Sequence, residues 1–242
     1  MTLSLQHVTG GYGPIPVLKD ISFEIHDNEL VGLIGLNGAG KSTTIKEIMG
    51  LLQPQKGTIT LDGLSLKTEP EAYRKKIGYI PETPVLYEEL TLKEHVEITA
   101  MAYDIPREVA MERASKLVKI FRLENRMDWF PANFSKGMKQ KVMILCALLT
   151  EPSLLIVDEP FLGLDPLAIH ALLQLFDEMK KTGVSILMST HVLATAEKHC
   201  DRFIILHDGQ IRAEGTIKEL QAKFELPVAS LDEIYLALTK EA

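Results

Sequence analysis

Leu30-Val31-Gly32-Leu33-Ile34-Gly35-Leu36-Asn37-Gly38-Ala39-Gly40-Lys41-Ser42-Thr43 is the stretch on which the fold turns. Its first five residues are apolar or glycine and read as a buried strand. A glycine-rich turn leads from them into a helical pattern over 42–51 that stops before Pro54. Gly35 through Ser42 fits G-x-x-x-x-G-K-[ST], and a strand before with a helix after is the context that gives this pattern meaning. The glycines let backbone N–H groups along Gly35, Asn37, Gly38, Ala39, Gly40 and on to Thr43 converge on phosphate oxygens, with the positive end of the helix behind them. Lys41 is then placed to meet the β- and γ-phosphates and Ser42 to ligate Mg²⁺. Alone, this unit implies only that a nucleotide polyphosphate is held.

Outward from the loop, residues 3–8 and 21–25 alternate like strands around the turn-rich Thr9-Gly10-Gly11-Tyr12-Gly13-Pro14, an antiparallel edge. Strands at 58–61 and 64–66 flank Asp62-Gly63, a hairpin signal, and 76–80 reads as a strand ending at Pro81. From 91 to about 127 the apolar spacing turns helical, as at Leu117, Ile120 and Phe121, marking a helical subdomain over about 88–134. A helix to 149, a strand at 154–157, a helix after Pro166, a strand at 184–188 and a helix to 199 follow, an alternation that implies a parallel sheet. A hairpin at 203–206 and 211–213 turns at Asp208-Gly209. The expected fold is α/β: a P-loop NTPase core with a mainly parallel sheet, an N-terminal antiparallel β part and a helical subdomain over 1–225, then a C-terminal helical tail over 226–242.

The 242 residues, 46% of them hydrophobic, suffice for a large single core. The longest unbroken apolar run, 142–149, is far short of the roughly 20 residues that span a bilayer, and no signal peptide is evident, so a cytoplasmic location is expected. A net charge of −7 argues against a sequence-independent nucleic-acid partner. Any membrane association therefore has to come through a protein. Cys146 and Cys200 show neither ligand spacing nor a disulfide framework and read as structural thiols.

Leu154-Leu155-Ile156-Val157-Asp158-Glu159 places two carboxylates at the C-terminal end of a buried strand, the edge at which α/β folds bind ligands. There Asp158 would hold Mg²⁺ directly or through water, and Glu159 would orient and help deprotonate an attacking water. Asn133-Phe134-Ser135-Lys136-Gly137-Met138-Lys139-Gln140 opens a helix with Ser135 as N-cap, a start that could bind an anion or simply be solvated.

The phosphate loop, the acid pair, Ser135-Lys136-Gly137-Met138, Gly163-Leu164-Asp165-Pro166 and His191 occur in the order of the ABC ATPases, and the resemblance covers nearly the whole chain. It implies ATP and Mg²⁺ as ligands and a second ATPase subunit, a homodimer of this chain, whose Ser135 and Gly137 act in trans on the γ-phosphate. It further implies that Asp165 couples the two sites, that His191 contacts the γ-phosphate and that Tyr12 stacks on adenine.

Two positions depart from the family pattern. The usual Leu-Ser-Gly-Gly-Gln reads Phe134-Ser135-Lys136-Gly137-Met138, and Glu82 stands where a Mg²⁺- and water-sensing glutamine is usual. A carboxylate at 82 can ligate the metal but adds negative charge beside the γ-phosphate. The segment 80–90 and Trp129-Phe130-Pro131-Ala132 resemble the bacterial Ecs-type exporters. That subgroup implies an integral membrane subunit of the EcsB type and a peripheral place on the inner face of the plasma membrane. Val85, Leu86 and Tyr87 could line a docking groove or pack inside the subdomain. A P-loop kinase and a non-transport ABC ATPase are the alternatives. Neither an acceptor site nor long coiled-coil insertions are evident for them.

Overall fold

The computed structural model describes residues 3–240, so positions 1, 2, 241 and 242 of the expected domain and tail lie outside the described residues. The strands among these residues make two sheets. In the first, β1 (Leu3–Gly10), β2 (Leu18–Ile25), β4 (Lys56–Leu61) and β5 (Leu64–Ser65) are antiparallel in the order β2-β1-β4-β5. In the second, β3 (Leu30–Ile34), β6 (Ile77–Ile80), β7 (Leu154–Asp158), β8 (Ser185–Ser189) and β9 (Arg202–His207) are parallel, and β10 (Gln210–Gly215) closes one edge antiparallel to β9. The order is β10-β9-β3-β8-β7-β6. The strand of the phosphate loop is therefore central.

Period-2 alternation sorts the parallel strands between two cores. Val31, Leu33, Leu154, Ile156, Leu187, Ile204 and Leu206 face the antiparallel sheet and α1 (Lys41–Ile48), packing on Leu3, Leu5, Ile45 and Ile48. Their neighbours Leu30, Ile34, Leu155, Val157, Ile186, Met188 and Ile205 face the opposite core, with α3 (Leu92–Ala102), α4 (Arg107–Ile120) and α5 (Lys136–Leu149). That core also takes α6 (Pro166–Lys181), α7 (Leu193–His199), α8 (Ile217–Lys223) and α9 (Leu231–Lys240). Being buried on both faces is why these strands are nearly continuous in apolar residues. At about 1.5–3 kcal/mol for each fully buried large aliphatic side chain, the layers hold the sheet rigid under the site.

The short helix α2 (Pro70–Lys75) is not anticipated by the sequence pattern. It exists to seat Tyr73, fully buried, whose hydroxyl donates to the Ile48 carbonyl at 2.9 Å and so satisfies the C-terminal end of α1. Glu47 on α1 is also fully buried, and neither of its carboxylate oxygens has a hydrogen-bond partner among the described residues. Its carboxylate lies against Gly10, where a Cβ would stand 2.0 Å from Oε1, and burial pushes its pKa up to about 7. The segment set apart as a tail contains α9, which contributes Leu231, Ile234, Tyr235 and Leu238 to the larger core. Burial raises both cysteine thiols, Cys146 to about 11, consistent with inert structural thiols.

Candidate active site

The loop between β3 and α1 enters the helix through Gly40, whose φ of 112° is accessible to glycine and strained for a side chain. Lys41 is nearly buried and curls back, its Nζ donating to the carbonyls of Gly35 at 2.7 Å and Leu36 at 3.3 Å. Burial lowers its pKa, opposed by the carboxylates of Glu159, Asp158 and Glu82. Ser42 is exposed at the head of α1, whereas Thr43 is buried.

Asp158 ends β7 and accepts a short hydrogen bond from the Ser189 hydroxyl at the end of β8. Burial foremost, then the neighbouring Glu159, raises its pKa. Glu159 holds a positive φ of 48°, a backbone conformation costly for a non-glycine residue. Three donors fix its side chain: the His191 backbone N–H at 2.8 Å, His191 Nδ1 at 2.7 Å and the Thr190 hydroxyl at 3.1 Å. The acid and the imidazole that the sequence treated separately are thus one hydrogen-bonded unit, set by the pairing of β7 with β8.

These groups share a cleft of about 840 Å³ at the carboxyl ends of β3, β7 and β8, lined by Gly35, Leu36, Asn37, Lys41, Ser42, Glu82, Asp158, Glu159 and His191. Another cleft, about 710 Å³, opens at the opposite ends of the strands beside Ser153 and Val184 and contains none of these residues. The lining of the first cleft adds Leu193 and, from α9, Asp232, Tyr235 and Leu236, which sequence reasoning missed. Nothing local marks them. Ser189 and Thr190 were legible as polar residues ending an apolar strand next to His191, and were overlooked.

Ser135 and Gly137 are not among the cleft residues. Ser135 caps α5, accepting from the Met138 N–H at 3.3 Å, and is exposed. A Cβ on Gly137 would lie 2.4 Å from the Gly163 carbonyl oxygen, so glycine is what lets α5 approach the 163–165 turn. Asp165 caps α6 through the Ala168 N–H and pairs with Lys141 of α5 at 2.9 Å, and this lysine holds its carboxyl below the usual range. Asp165 therefore fastens α5 to α6 within one chain. Fully buried Gln140 donates to the Pro81 carbonyl at 3.0 Å, tying α5 to the loop that carries exposed Glu82. Tyr12 lies outside the cleft, its hydroxyl accepting from Lys46 of α1 at 3.0 Å and its ring 62% exposed. Val85 and Tyr87 are exposed while Leu86 packs on the core, so the segment 85–87 divides between the two readings open from sequence.

A phosphate loop on the central parallel strand β3, an acid pair at the end of β7 with β8 between them, and a serine-capped helix tied to the loop after β6 define an ATP-binding cassette ATPase. The chain belongs to the ABC transporter family, whose description matches residues 18–162. It is an ATP-binding subunit of that family. It is 62% identical over 99% of its length to the ABC-type transporter ATP-binding protein EcsA of Bacillus subtilis (strain 168), covering 97% of that protein. It is 33% identical to the linearmycin resistance ATP-binding protein LnrL of the same organism, covering 97% of this chain and 77% of that one. A solved ATP-binding subunit of an ABC transporter superposes with a TM-score of 0.96 at 56% identity, covering 99% of this chain and 100% of the other. A dimeric ATP-binding cassette in a post-hydrolysis state with ADP and Pi superposes at 0.79 with 27% identity, covering 89% and 98%. Among the described residues no helix is long and apolar enough to cross a membrane.

Proposed function

We propose that two copies of this chain close face to face on ATP, each supplying Ser135 and Gly137 to the other's phosphate loop, and that closure drives an integral membrane subunit of the EcsB type in an exporter. The observation that carries this is the division of the site. Lys41, Ser42, Asp158, Glu159 and His191 share one cleft, while the serine helix start lies outside it. In this reading Lys41 releases the Gly35 and Leu36 carbonyls to meet the phosphates. His191 holds Glu159 until the attacking water is oriented, and Glu159 takes its proton. Tyr12, outside the cleft and largely exposed, stacks on the base.

The site fits Mg²⁺. Three carboxylates, Glu82, Asp158 and Glu159, surround a single lysine, and a polyphosphate adds further negative charge. Ser42 and Asp158 would hold the ion, with Glu82 as a further oxygen donor, and it would neutralise charge developing on the phosphate oxygens. Asp165 couples the two sites because it joins the serine helix to α6. The export role in the name of the Nod factor export ATP-binding protein I of Rhizobium meliloti, 35% identical over 89% of this chain, supports the exporter assignment. Exposed Val85 and Tyr87 suit docking on the membrane subunit at the inner face of the plasma membrane. The test is Glu159→Gln. ATP hydrolysis should be lost while light scattering shows a stable ATP-dependent dimer; a monomeric, fully active variant would sink the proposal.

A further inference from the structure

We infer that the C-terminal helix α9 is a working part of the nucleotide site, with Tyr235 as the positioning residue that sets the phosphate loop; this rests on the ATPase reading above. The Tyr235 hydroxyl, on a side chain only 6% exposed, accepts a hydrogen bond from the Leu36 N–H at 2.9 Å, across 199 residues of sequence. The carbonyl of the same residue, Leu36, accepts from the Ala39 N–H at 3.1 Å and from Lys41 Nζ at 3.3 Å. One residue, Leu36, thus joins α9, the turn of the loop and the lysine that must move when phosphate arrives.

The helix is anchored well enough to act as a reference point. Ser230 and Glu233 cap its start reciprocally, and the Leu231 N–H donates to Glu197 of α7 at 2.7 Å. Its neighbours Leu231 and Ile234 are fully buried. Because α7 follows directly on His191, α9 bridges the two walls of the cleft, the loop on one side and the His191 helix on the other. Asp232, one turn before Tyr235, and Leu236, the next residue along, line the same cleft.

The Leu36 N–H that Tyr235 engages is not among the loop N–H groups assigned to the phosphates, so the contact leaves those groups to ATP. It fixes the loop before ATP binds, and a loop fixed in advance loses less freedom on binding. The contact also depends on residue 36 having an N–H, which Leu provides and a proline would not.

The experiment is Tyr235→Phe, which removes one oxygen from a packed ring. ATP dissociation constants are measured with a fluorescent ATP analogue, KM and kcat by phosphate release, and protection of the loop by hydrogen–deuterium exchange, with a melting curve as folding control. Losing one hydrogen bond to the loop should weaken ATP binding and raise KM about 3- to 10-fold, with kcat falling less. Exchange in the peptide containing Leu36 should accelerate. Unchanged affinity and unchanged exchange in a folded variant overturn the inference, as does a loss confined to melting temperature, which marks Tyr235 as packing alone. Failure of the parent chain to bind ATP would instead refute the ATPase reading, so the two outcomes are separable.

Discussion

Glu47→Gln should remove the pH dependence that this one side chain imposes on folding. The carboxyl is fully buried against Gly10 without a hydrogen-bond partner among the described residues, and burial moves its pKa from an ordinary 4.5 to about 7. The folded state therefore keeps the proton up to about pH 7, whereas the unfolded chain releases it near 4.5. Between those values the unfolded state binds fewer protons, so stability falls as pH rises. From 4.5 to about 7, at about 1.4 kcal/mol per pH unit, the accumulated loss is about 3 kcal/mol. Above that window the loss is constant. Glutamine keeps the shape and cannot ionise. Any fixed cost of its amide offsets the variant equally at every pH. Urea unfolding followed by circular dichroism, without nucleotide, at pH 5, 6, 7 and 8 should show the variant gaining about 2–3 kcal/mol on the parent across the series. Parallel stability profiles would refute the reasoning, since they would mean that Glu47 titrates alike in both states.

Two further substitutions test other contacts. In Gly137→Ala the new methyl meets the Gly163 carbonyl oxygen at 2.4 Å, a backbone atom that cannot rotate away, so α5 or the 163–165 turn must shift at a cost of about 1–3 kcal/mol; phosphate release should fall steeply while one subunit still binds a fluorescent ATP analogue, and normal turnover would count against trans completion by this helix start. Tyr73→Phe leaves the Ile48 carbonyl without its buried donor, and chemical denaturation should show a loss of about 1–2 kcal/mol with ATP affinity retained.

The chemistry was legible where it is local. A glycine-rich turn between an apolar strand and a helix needs only about a dozen adjacent residues, so β3 was placed at 30–34 with the bounds the structure has. The same holds for the acids ending β7, because a strand buried on both faces is a run of apolar residues and its polar end stands out. α2 escaped because six residues with a single core side chain, Tyr73, carry no readable period.

By itself, then, the sequence determined the phosphate loop, the acid pair, the serine helix start and the alternation that demands a parallel sheet. Tertiary structure alone decided which of these meet. Pairing of β7 with β8 makes Glu159 and His191 one unit, and the fold leaves Ser135 outside the cleft. It also carries α9 back to Leu36, which no pattern around Tyr235 announces. The physical reason is range. Propensity and periodicity act over a few residues, whereas a hydrogen bond spanning 199 residues of sequence forms only after two cores have packed and fixed both ends in space.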